Sequence, residues 1–241
     1  MLSKKLAVVT GAARGIGLAV AEQLAAAHCK VLMLARHAPS LEQAAQQLIS
    51  RGHDVVTHCA DLNDQETPHN LAQRLQSEFG RLDILVNNAG VFLDPKDPSQ
   101  AELGSALHAD ASCLLDSFSN NTLAPLRLIQ ALMPLLRASD AGRIVNVSSG
   151  MGQLSTMGGN WPAYRLSKTA LNALTRLLAS ELQDESIKIN AVCPGWCRTE
   201  MGGTDALRSA AQGASGIVWA ALLPEEGPSG GFFRDGQPLA W

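Results

Sequence analysis

The chain has 241 residues, 46% of them hydrophobic, with a formal net charge of −3. That is enough apolar sequence for one sizeable core in a single undivided domain over residues 1–241, and so small a charge argues against an electrostatic footprint for nucleic acid or an anionic membrane surface. No apolar run approaches the roughly 20 residues of a membrane span, the first strand follows MLSKK too closely for a signal peptide, and five scattered cysteines suit a reducing compartment, so a cytoplasmic location is expected.

Residues 5–10 (KLAVVT) form a short apolar run, followed by Gly11, Arg14, Gly15, Ile16 and Gly17 in a GxxxGxG turn and then by LAVAEQLAAAH, a helix-forming pattern. A strand, glycine turn and helix in that order form a phosphate cradle. The glycines let the backbone approach a pyrophosphate, and the helix N-terminus offers free N–H groups and a partial positive charge. The next strand, VLMLAR (31–36), ends where binders of the unphosphorylated dinucleotide place an Asp or Glu for the adenosine ribose. Here Ala35, Arg36 and His37 stand instead. Arg14 and Arg36 suit a 2′-phosphate, which guanidinium pairs in bidentate fashion, and predict NADP(H); otherwise both are solvated surface cations.

The pattern repeats with a helix over 40–51, a strand over 54–61, a helix over 65–79 and a strand over 82–87. Alternation of this kind implies right-handed crossovers and a parallel sheet buried on both faces. Asp61 with Leu62, and Asn88, Ala89 and Gly90 after Asn87, fall at strand ends, where ligands of open α/β sheets gather. Asp61 either accepts from an adenine amino group or caps the helix after it. Residues 1–90 read mainly as a dinucleotide-binding half, and 91–241 as the catalytic and substrate-binding half. Residues 93–112 predict a loop and an irregular helix. A long helical pattern over 113–139 contains Pro125, which cannot donate to the carbonyl of Asn121 and leaves it free for water or a side chain.

The β-branched run GRIVNVSS (142–149) reads as a buried strand delivering Ser149 to the sheet's carboxyl edge. Tyr164 and Lys168, four apart in a helical pattern, share one face. A phenol titrates near roughly 10, and a cation beside it favours the phenolate, so Lys168 is expected to lower the Tyr164 pKa. The three groups together can give a proton to, or take one from, an oxygen changing between carbonyl and alcohol. Taken alone, a Tyr four before a Lys is also the pattern of a half-buried ring beside a solvated amine. A hydrolase triad is disfavoured, because no GxSxG surrounds Ser149 and every histidine lies at or before His108. Pro194-Gly195 between Cys193 and Cys197 disfavours a zinc pair, and no metal is expected. The last core strand is IKINAVCPG (187–195), followed by a tail rich in Gly, Pro and Trp.

With TGAARGIG, NNAG, the long helix carrying Asn121, then Ser149, YRLSK and PGWCRTEM in that order, the chain resembles the short-chain dehydrogenase/reductase family over nearly its whole length. It is most similar to carbonyl-reductase-like members, whose tails look like GPSGGFFRDGQPLAW. The resemblance implies a Rossmann-type, doubly wound, seven-stranded parallel sheet. It also implies a catalytic set of Asn121, Ser149, Tyr164 and Lys168. Tyr164 is then the general acid, Ser149 the holder of the substrate oxygen, Lys168 a grip on the nicotinamide ribose, and Asn121 the anchor of a water relaying protons to Lys168. Pro194, Gly195, Thr199 and the backbone of Cys197 match positions that orient the carboxamide. Ser149 and Tyr164 are 15 residues apart, slightly more than is usual in the family.

The implied reaction is NADPH-dependent, reversible reduction of an aldehyde or ketone. A non-catalytic NADP(H)-binding sensor or scaffold is the rival, opposed by the intact Asn-Ser-Tyr-Lys set. A nucleotide-sugar epimerase would need a larger substrate domain. The segments after Ser149 and Pro194-Gly195 carry Met151, Leu154, Met157, Trp161, Trp196 and Met201, with Arg198 their one basic residue. Such walls predict apolar or aromatic carbonyl substrates, unless the side chains pack as core or meet another subunit. The helices over 113–138 and 162–183 are those related enzymes use to pair subunits, so a homo-oligomer is open.

Overall fold

Successive residues of the central strands bury on opposite faces of one sheet. Ala7 and Val9 of β1 (Leu6–Thr10), Val31 and Met33 of β2 (Lys30–Ala35), and Ile84 and Val86 of β4 (Ile84–Asn87) enter one apolar core; Leu6, Val8, Leu32, Leu34 and Leu85 enter the other. Both faces are covered, which is why these strands read as continuous apolar runs rather than alternating ones. The computed structural model describes residues 4–95 and 104–241.

Strands β3 (Val55–Cys59), β5 (Arg143–Val147), β6 (Lys188–Val192), β7 (Phe232–Arg234) and β8 (Gln237–Pro238) complete a sheet of order β3-β2-β1-β4-β5-β6-β7-β8. The first seven strands pair in parallel. The expected seven strands are therefore present, and an antiparallel β8 is added to them. Asp235 and Gly236 both have positive φ (53° and 74°), the backbone of a two-residue hairpin turn that folds β8 back on β7. The chain leaves β1 towards β2 and β4 towards β5, in opposite directions, so a crevice opens at the carboxyl ends of β1 and β4.

The helices are α1 (Gly15–Ala26), α2 (Ala38–Ile49), α3 (Thr67–Glu78), α4 (Ala111–Phe118), α5 (Ala124–Arg137), α6 (Pro162–Glu181) and α7 (Ala210–Ala221). Three expectations change. The single helix expected over 113–139 is two, joined by a π-helical turn at Ser119–Leu123 that ends just before Pro125, the residue with no N–H to continue a ladder. Residues 96–103 of the expected loop lie outside the described residues; of the rest, Ala111 and Ser112 begin α4. The tail holds α7 and β7 as well as turns. Helix α7 contains Gly213 and Gly216, which weaken its sequence signal; a Cβ on Gly213 would come within 2.5 Å of Cys197 Sγ, so close packing demands glycine there. Among the described residues no helix is long and apolar enough to cross a membrane.

Candidate active site

The glycine turn is held open by its neighbours. Gly11 and Gly15 have φ of 65° and 56°, and a Cβ on Gly17 would stand 2.3 Å from the Gly11 carbonyl oxygen. Thr10 Oγ1 accepts from the backbone N–H groups of Asn88 (3.0 Å) and Ala89 (2.9 Å), and Asn88 Nδ2 donates to the Thr10 carbonyl at 2.8 Å. These bonds knit the turn to the NNAG segment across the crevice. The N-terminus of α1 has neither a side-chain cap nor an acidic residue in its first turn, so its N–H groups and dipole are free for an anion. That is the fit a dinucleotide pyrophosphate requires.

Around the turn, the predicted binding residues divide. Arg36 is exposed at the end of β2, and Arg14, the N-cap residue of α1, forms an ion pair with Glu200 in which both side chains stay largely exposed. Asp61 accepts from the Asn63 N–H at 3.0 Å and shapes the turn before α3, but it does not cap that helix, whose N-cap is Glu66 and has no side-chain cap bond. Leu62 buries its side chain in the core, leaving only its backbone for a ligand. Beyond β6, Gly195 turns with φ 78°, and Thr199 Oγ1 accepts from Gly202 N–H at 3.0 Å and fixes a short loop. Cys197 Sγ donates to the Pro194 carbonyl oxygen at 3.3 Å. A Cβ on Gly15 would meet Thr199 Cγ2 at 3.2 Å, so this loop lies over the glycine turn.

Ser149, Tyr164 and Lys168 converge. Ser149 leaves β5 in extended backbone and its Oγ accepts from Met151 N–H at 3.1 Å. Lys168 Nζ donates to the Val147 carbonyl at 2.9 Å and lies 5.7 Å from the centre of the Tyr164 ring. Burial pushes the Tyr164 phenol up to about 12, against a hydrogen bond from Ser149 that lowers it, while the Cys193 sulfur beside it raises it further. Burial likewise lowers Lys168 to about 8, partly opposed by Cys193. The expected depression of the Tyr164 pKa is therefore not found, because desolvation of the phenolate outweighs any help from a cation itself stripped of water. At neutral pH the phenol keeps its proton.

Asn121 is fully buried in the π turn, where Oδ1 accepts from Val91 N–H at 2.8 Å and Nδ2 donates to the Val91 carbonyl at 2.9 Å and to Ser167 Oγ at 3.0 Å. Both amide protons are spent on this clamp, so any water held for Lys168 must use other atoms. A Cβ on Gly90 would lie 3.0 Å from Asn121 Oδ1 and 3.4 Å from Lys168 Nζ, which puts the NNAG segment, Asn121 and Lys168 at one point.

Leu154, Met157, Trp161, Trp196 and Met201 are exposed rather than core, and Met151 is half-buried. Trp196 is anchored by its Nε1–H to the Gly202 carbonyl at 2.8 Å. The walls are not free of further cations: Arg165 reaches back to donate to the carbonyls of Asn160 (2.8 Å) and Met151 (3.2 Å) and lies over the Trp161 ring. Sequence reasoning missed Arg165 and two residues after Gly90. The Phe92 ring lies 4.8 Å from that of Tyr164, and Asp94 accepts from the backbone of α6. The available signal was a helix starting at Trp161-Pro162 with no local capping residue.

The profile described as short chain dehydrogenase matches residues 5–209. The (+)-neomenthol dehydrogenase of Arabidopsis thaliana is 31% identical, with 97% of each chain covered. Among solved structures, the NADPH-bound carbonyl reductase from chicken fatty liver superposes with a TM-score of 0.87 over 100% of each chain at 27% identity. A short chain dehydrogenase from Shigella flexneri complexed with NADP gives 0.86 over 97% of each chain at 30% identity.

Proposed function

Because the chain belongs to the short-chain dehydrogenase family and is an NADP-dependent oxidoreductase, we propose that it reduces an aldehyde or ketone to an alcohol, reversibly, with Tyr164 as the proton donor. The observation that carries this reading is the meeting of the Ser149 hydroxyl, the Tyr164 phenol and the Lys168 ammonium beside Gly90, at the carboxyl edge of the sheet.

Bound NADPH supplies a hydride to carbon. Ser149 and Tyr164 donate hydrogen bonds to the carbonyl oxygen as charge builds on it, and Tyr164 passes its proton to that oxygen. Lys168, held at Val147, keeps a positive charge near the phenolate left behind. Asn121 holds the backbone of Val91, and through it the segment after Gly90, in place. In the cofactor cleft the free N-terminus of α1 receives the pyrophosphate, Arg14 and Arg36 the 2′-phosphate, and Asp61, Asn88, Ala89, Gly90 and the Pro194–Thr199 loop the remainder.

The exposed Leu154, Met157, Trp161, Trp196 and Met201 support an apolar or aromatic substrate, since such a surface favours buried area. Exposed Leu115 on α4, and Leu166 and Leu177 on α6, support pairing of copies through these helices. Five free cysteines support a reducing, cytoplasmic setting. The test is loss of reduced-cofactor absorbance across a panel of carbonyl compounds. Turnover of aromatic and aliphatic ketones or aldehydes is expected, and cofactor binding without turnover of any carbonyl would contradict the assignment.

A further inference from the structure

Tyr164 is the third residue of α6, so its phenol is placed by the first turn of the helix. That turn has no cap of its own. Trp161, at the N-cap, makes no side-chain cap bond and sits in the left-handed region at φ 54°, just after Asn160 at φ 63° and just before Pro162. Two such residues in a row are held only where the surroundings dictate them. Here Trp161 N–H donates to the Gly104 carbonyl at 2.8 Å.

The free N–H groups of the turn are taken by a carboxylate from far upstream. Asp94 Oδ1 accepts from Ala163 N–H at 3.0 Å, and Oδ2 accepts from the N–H of Tyr164 itself at 2.7 Å. Asp94 is buried, at 5% exposure. A carboxylate taken out of water persists only with strong donors, and two N–H groups at the positive end of a helix are such donors. The segment that carries Asp94 begins at Gly90. Its Val91 is locked at both N–H and carbonyl by Asn121, and its Phe92 ring lies against Tyr164.

We propose that Asp94 is a positioning residue for Tyr164, tying the first turn of α6 to the segment that leaves Gly90 and so fixing the phenol beside Ser149. This rests on the reading of Tyr164 as the proton donor. A helix end released from its cap frays within a turn, and a displacement of about 1 Å at a reacting group costs on the order of 100-fold in rate. A cap that only stabilised the fold would slow every form of the enzyme alike.

The experiment uses Asp94→Ala, and Asp94→Asn as a variant that preserves volume and one acceptor, each alone and in a Tyr164→Phe background. Alone, Asp94→Ala lowers kcat by at least ~10-fold and Asp94→Asn by less, while NADPH affinity, read by cofactor fluorescence, changes less than ~3-fold. With Tyr164 already Phe, the same changes cost less than ~3-fold more, because the group they position is gone. Tyr164 is the chain's single tyrosine, so phenolate absorbance reports it alone. The parent phenol, pushed up to about 12, stays protonated near pH 11, whereas the Asp94 variants form phenolate nearer its ordinary range of roughly 10, with tryptophan fluorescence still native. Equal loss of kcat in both backgrounds, or an unmoved phenol titration in a slowed variant, overturns the proposal and leaves Asp94 a plain cap. Parent-like turnover by Tyr164→Phe overturns the reading of Tyr164 instead.

Discussion

Lys168 Nζ lies 5.7 Å from the centre of the Tyr164 ring and donates at 2.9 Å to the carbonyl of Val147, so one buried ammonium joins the sheet edge to the face of α6 that carries the phenol. Burial lowers Lys168 to about 8 and raises Tyr164 to about 12.

A stability consequence follows, with its sign. Between about pH 8 and the ordinary lysine range near 10.4, the unfolded chain holds a proton on Lys168 that the folded chain has lost. Stability therefore rises with pH from this group, and it falls again from about 10 to 12, where folded Tyr164 keeps a proton the unfolded chain releases. Chemical denaturation of the ligand-free protein at intervals from pH 7 to about 10 tests this. Lys168→Met is expected to remove an upward slope from the parent's profile; identical slopes would show that the ammonium is not desolvated.

Cofactor choice is expected to rest on Arg14 and Arg36. Arg36→Asp removes a charge-assisted partner of the 2′-phosphate and adds repulsion, so NADPH affinity should fall ~10- to 100-fold while NADH affinity changes little. Fluorescence titration of both cofactors decides the matter, and an equal effect on the two would remove Arg36 from the phosphate site.

Much of this arrangement was legible from the chain. The apolar runs of β1, β2 and β4 announced a sheet buried on both faces, and the Ser149, Tyr164 and Lys168 spacing announced three side chains that the fold does bring together. What was hidden depended on contacts distant in sequence. Asp94 meets α6 across about 70 residues, and no local pattern says which acid will cap a helix lacking its own. Helix α7 was obscured by the glycines that let it approach Cys197. The direction of the Tyr164 shift could not be read from spacing, because the Tyr-Lys pattern shows the cation but not the loss of water around both groups.

Gly17 tests the turn itself. A Cβ there would stand 2.3 Å from the Gly11 carbonyl and 2.5 Å from Asn88 Nδ2, and the first of these is backbone that cannot swing aside. Gly17→Ala should destabilise the fold by about 1–3 kcal/mol and weaken NADPH binding more than ~10-fold, measured by denaturation and fluorescence. A variant with parent-like stability and affinity would mean that the turn yields easily.

Trp196 bears on substrate character. It is 55% exposed and its side chain is held at Nε1, so its ring is available to cover a bound apolar group. Trp196→Ala should raise KM for bulky aromatic ketones by roughly 10-fold, about the loss of one partly buried aromatic contact, with kcat little changed. Higher kcat/KM for small polar or anionic carbonyls than for bulky apolar ones in the parent would contradict an apolar pocket.

The central claim is that Tyr164 carries the proton, and Tyr164→Phe isolates it by keeping the ring against Phe92 while removing the one hydroxyl proposed to react. Steady-state turnover of a carbonyl substrate, measured beside NADPH affinity, is the decisive comparison. The account predicts a fall in kcat of at least ~100-fold with NADPH binding unchanged, and turnover equal to that of the parent would contradict it.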